Sequence, residues 1–127
     1  MSTRTLALAG VMALALIPPP AHACGACVED KVAATYDHAV VERAAARHEV
    51  VVYAAIEGRG DARALARSVK AAALRAPGVD RSSVRAAAEP AAVSFALDPR
   101  VAAPEATLAA LERAQPGLKL PVLRIVR

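Results

Sequence analysis

The chain has no tryptophan, one phenylalanine and two tyrosines in 127 residues. With only Phe95, Tyr36 and Tyr53 to supply large aromatic area, the core must be built mainly from valine, leucine and alanine. That predicts modest stability, because aromatic side chains carry the largest apolar payload. Cysteine is nearly as scarce, with Cys24 and Cys27 the only two. A bridge between residues this close would constrain the unfolded chain very little, since disulfide stabilisation grows with loop length. A stapled scaffold is therefore excluded, and the pair points to chemistry. Long apolar runs are missing too: Leu6 to Ile17 would span ~18 Å as a helix, against ~30 Å of hydrocarbon core. No Ser-His-Asp set, phosphate-cradling glycine loop or paired-carboxylate signature is present, and Glu57-Gly58-Arg59-Gly60-Asp61 lacks the glycine spacing of dinucleotide binders. The chain does not read as an enzyme.

What is present begins at the N-terminus. Arg4, the apolar run to Ile17, Pro18-Pro19-Pro20 and the small-x-small tripeptide Ala21-His22-Ala23 make a secretory signal over residues 1–23. Cleavage after Ala23 would leave 104 of the 127 residues, one small domain with Cys24 at its tip. The expected location is the periplasm, with no stable membrane insertion once the signal is gone. A lipoprotein signal wants a Leu-like residue three before the cysteine, and Ala21 stands there, so Cys24 is expected to keep its thiol, with lipidation, which would consume it, as the alternative.

The formal charge of +4 rests on 13 arginines and 3 lysines against 12 acids, and loss of Arg4 with the signal lowers it to +3. A basic patch would suggest nucleic acid or anionic lipid. Here the arginines are interspersed with acids along the sequence and export argues against nucleic acid, so a solvated surface is expected.

Along the chain, Val28, Val32, Tyr36 and Val40 recur every four residues, with Glu29 and Asp30 at the start and Arg43 and Arg47 near the end. This predicts one amphipathic helix over about 27–47. Its stripe must pack on the domain or dock on a partner or second copy, because a lone helix of this length is marginal in water. Residues 50–56 alternate as a buried strand, and Asp61 is placed to cap a helix whose face is Ala62, Leu65, Ala66, Val69 and Ala73. Pro77-Gly78 stops that helix. A weak strand is expected near 81–88 and another through Val93, Phe95 and Leu97. Pro104 opens a second helix carrying Leu108 and Leu111, and Leu118 to Val126 forms an edge strand containing Pro121. The order predicts an α+β fold, a ferredoxin-like βαββαβ sandwich over 48–127, preceded by the 24–47 helix.

Residues 48–127 resemble a heavy-metal-associated domain of the copper-chaperone type in the Pro77-Gly78-Val79 turn, in Asp98-Pro99 after the third strand, and in Leu108, Leu111 and Gly117. The resemblance implies metal handling. That family carries its Cys-x-x-Cys between the first strand and first helix, where this chain has Glu57 to Asp61 and no thiol. Cys24-Gly25-Ala26-Cys27-Val28 looks like that metal loop displaced to the N-terminus.

Thiolates are the metal-binding form, and a helix N-terminus favours them; Glu29 and Asp30 oppose that effect and Lys31 supports it. On a single straight helix His38 would lie ~16 Å and His48 ~30 Å from Cys27, so neither completes a tetrahedral zinc site. Two thiolates, Cys24 and Cys27, suit a soft ion such as Cu(I). The expected function is exported soft-metal binding or transfer to a donor or acceptor protein. Thiol–disulfide exchange by the same pair and a non-catalytic partner-binding module are the alternatives.

Overall fold

The structure, a computed structural model, describes residues 27–127. The first departure from the helix expected over 27–47 lies at Tyr36 and Asp37. Both are extended, with ψ of 131° and 112°, and they divide the segment into α1 (Val28–Thr35) and α2 (His38–Ala46). The break has a local cause. The Asp37 carboxylate accepts from the amides of Ala39 and Val40 and so caps α2, offering the backbone an end to one helix and a start to the next. His48, with φ of 57°, then turns the chain out of α2.

The remaining elements are β1 (Val50–Ala55), α3 (Ala62–Ala73), β2 (Arg85–Ala88), β3 (Ala91–Leu97), α4 (Pro104–Arg113) and β4 (Val122–Val126). Asp61 caps α3 through the amide of Ala64, as expected. Two expected strands are shorter than their alternation suggested. Arg81–Ser83 is a single 3-10 turn, because Asp80 caps it and Ser83 Oγ is spent on the Asp80 carbonyl and the Ala96 amide. Leu118 to Pro121 stays outside β4: Lys119 bridges Glu57, Leu118 and Leu120 are buried as anchors, and Pro121 has no N–H to donate.

The four strands form one antiparallel sheet in the order β2-β3-β1-β4. The molecule is α+β, and its element order after α2 is consistent with a ferredoxin-like arrangement. β4 and β2 are the edges.

Alternation along β1 gives the sheet two apolar faces. Val50, Val52 and Ala54 pack with Ala66, Val69 and Ala73 of α3 and Leu108 and Leu111 of α4, around a fully buried Phe95. On the other face Val51, Tyr53 and Ala96 pack under Val32 of α1 and Val40 and Ala44 of α2. The N-terminal helices therefore complete the core of this chain. Half of the expected stripe does the packing. Val32 and Val40 are 5% and 4% exposed, whereas Val28, at the first position of α1, and Tyr36, at the break, are 48% and 52% exposed.

Candidate functional site

Of the two cysteines, Cys24 lies outside the described residues, and so does the expected signal at 1–23. Cys27 is the N-cap residue of α1, its carbonyl accepting the first intrahelical bond from Lys31 at 3.1 Å. Its side chain is exposed and makes no capping bond. The thiol instead donates to Asp30 Oδ2 at 3.2 Å, one turn along the helix.

A polar row on the sheet fixes where α1 lies, and therefore where Cys27 lies. Arg85, Ser94, Tyr53 and Arg124 are register partners across β2, β3, β1 and β4. Arg124, on the β4 edge, pairs with Glu29 in the first turn of α1. Ser94 Oγ donates to the Thr35 carbonyl at 3.1 Å. Arg85, on the β2 edge, donates to Asp37 Oδ2 at 2.9 Å. The helix thus crosses the sheet from the β4 edge to the β2 edge, with Val32 as its apolar anchor, and Cys27 stands on the β4 side, two residues before Glu29.

The electrostatics of the row follow from these contacts. The Arg85 guanidinium holds the Asp37 carboxyl below its ordinary value, assisted by the Val40 and Ala39 amides and opposed by partial burial. Burial pushes the Tyr53 hydroxyl up, with the Arg124 charge working against it.

The histidines are engaged elsewhere. His38 opens α2, where its Nε2 lies 3.1 Å from Glu42 Oε1 and its Nδ1 lies 3.2 Å from Tyr36 Oη. The axial separations expected for a continuous helix do not apply across the break, yet His38 and His48 still do not join Cys27. Among the described residues no group of three or more His, Cys, Asp or Glu side chains is placed to hold a metal ion. Among the described residues there are surface hollows of about 270, 400 and 80 Å³, and Cys27 lines none of these. No helix among the described residues is long and apolar enough to cross a membrane.

Sequence reasoning did not assign Asp37, Arg85 or Arg124 to the seating of α1; for Arg85 it gave only a charge on an edge strand. Asp37 had a visible signal, an aspartate preceding a helical run. The two arginines had none, because their partners lie 48 and 95 residues away in sequence.

In comparisons with known proteins, the chain matches no family model, no curated protein and no solved structure.

Proposed function

We propose that the protein is exported and binds a soft metal ion, Cu(I) foremost, through Cys24 and Cys27, and passes it to or takes it from a partner protein. The observation that carries this reading is the seating of Cys27 at the solvent-exposed start of a helix tied to the sheet at both ends. Cys27 at such a point is open to a partner's thiols while its base is held still. The donor chemistry agrees. Sulfur is the soft ligand, and Cu(I) accepts two thiolates without the third and fourth donors zinc requires. Binding needs the Cys27 proton removed, which ends the hydrogen bond that the thiol donates to the Asp30 carboxylate.

The finer fold reading belongs here as well. The strand order and the β-α-β-β-α-β sequence after α2 support a ferredoxin-like domain related to heavy-metal-associated modules. In such a module the loop between β1 and α3 would carry the ligands, and here it carries Glu57 to Asp61. The thiol pair, whose Cys27 opens the helix on the opposite face of the sheet, takes that role.

The test is titration of the reduced protein with Cu(I) against a competing chelator. About one ion per chain is expected, by the two-thiolate stoichiometry, with Cys24→Ser and Cys27→Ser each abolishing it. Unchanged affinity in both variants would sink the assignment. A protein that binds no metal but exchanges disulfides with a dithiol substrate would establish the redox reading instead.

A further inference from the structure

The acids that intersperse the arginines along the sequence do not accompany them on the surface of α3. The helix body Ala62–Ala73 contains Arg63, Arg67 and Lys70 and no acidic residue. At about 100° per residue these three fall within roughly 60° of one another around the helix, along ~10 Å of its length. Arg59, in the loop before α3, and Arg75, just after it, extend the set to five. All five are exposed. None takes part in an ion pair among the described residues.

The fold does not explain this stripe. Arg63 sits in the first turn, where the helix dipole disfavours a cation. Arg67 follows it at the i,i+4 spacing and Lys70 follows at i,i+3, where like charges repel. The nearest acid by sequence, Asp61, is committed to the Ala64 amide. The apolar work of α3 is done on its other side by Ala66, Val69 and Ala73. A local rule broken without a gain to the fold marks a surface kept for something else.

We propose that this flank of α3 is a docking surface for anionic phospholipid headgroups. Charge complementarity requires an anionic partner, and what the flank lacks selects among them. The exposed large apolar residues of the described chain are Val28, Tyr36, Val101 and Val122, and none belongs to α3. A specific protein interface needs buried aromatic or apolar anchors, and a single-stranded nucleic-acid groove needs aromatic platforms for bases; α3 offers neither, and duplex nucleic acid, for which cations suffice, is set aside by the export proposed above. A headgroup layer needs only cations held within a Debye length of it. Ala64 and Ala71 beside the stripe are small enough to let the Arg63, Arg67 and Lys70 side chains meet a flat surface together. The proposal is independent of the thiol pair, because α1 and α3 lie on opposite faces of the sheet.

The experiment is sedimentation of the full chain with vesicles of phosphatidylcholine, alone or with about a third phosphatidylglycerol, at ionic strengths from ~0.05 to ~0.5 M. The quantity read is the difference between the two lipid mixtures, which cancels any apolar contribution from residues 1–26. Binding to the anionic vesicles is expected to exceed that to the neutral ones at low salt and to vanish at high salt. Arg63→Gln, Arg67→Gln and Lys70→Gln together should weaken it by about 100-fold, at roughly fivefold per cation. Arg63→Lys with Arg67→Lys should stay within about threefold of the parent, because headgroup attraction counts charge. Substituting both cysteines should change nothing. Equal weakening by Arg43→Gln, Arg113→Gln and Arg127→Gln would show net charge alone at work and overturn the assignment to α3. So would the absence of any dependence on phosphatidylglycerol, or capture by oligoglutamate without capture by vesicles, which would make the partner an acidic protein.

Discussion

Phe95 is the largest apolar side chain with no exposure at all, and in a chain with a single phenylalanine nothing nearby can replace its area. Phe95→Ala is expected to cost ~3–5 kcal/mol, read as a drop in the denaturant midpoint at unchanged slope. Asp37 works differently, through charge. The Arg85 hydrogen bond first, then the α2 amides, hold its carboxyl below its ordinary value, and Arg100 does the same for Asp98 in the turn after β3. A carboxyl depressed in the folded state contributes stability above its ordinary value and loses it as pH falls through the folded one. The docking of α1 and α2 is therefore expected to be constant from neutrality down to about pH 4 and to weaken below it. Amide exchange in the first turn of α2 measured across that range checks this, and Asp37→Ala should show the acid-state exchange already at neutral pH.

At the scale of elements, the N-terminal pair holds the sheet face that α3 and α4 leave open. Val32 is its main apolar contact in α1, Val40 and Ala44 its contacts in α2. Val32→Asp should remove at least the ~1.5–3 kcal/mol of a buried valine and raise exchange at Val51 and Tyr53 in a protein that remains monomeric. Tyr36→Asp, at a half-exposed position, should leave those amides protected. Equal effects from the two would mean that α1 packs with the whole four-residue stripe inward. The i,i+4 pattern was legible at both ends of this segment, but pattern alone could not show that an aspartate in its middle would stop one helix and start another. Capping is settled by two amides and one carboxylate, and periodicity is blind to it.

For the whole molecule, the thiol pair and the fold are expected to be separable. Among the described residues the Cys27 sulfur reaches only Asp30 on its own helix, and no core cluster includes it. Replacing both cysteines should move the thermal midpoint of the metal-free protein by no more than a few degrees, under about 1 kcal/mol for a domain of this size. Loss of cooperative unfolding in that variant would mean that the pair is a structural link.

From β1 onward, the sequence by itself determined the kinds and order of the α-helices and strands. Alternation in Val50 to Ala55, the Asp61 cap, Pro104 at a helix start and Pro121 near an edge are local signals, carried by residues a few positions apart. It also singled out Cys27 as the start of a helix. Only the tertiary structure decided what that helix rests on and which charges meet. Arg124 finding Glu29, Arg85 finding Asp37, and the cations of α3 finding no acid are consequences of strand order and facing. Ion pairing falls off within a few ångströms, while the residues it joins stand tens of positions apart, so no window along the chain contains both partners.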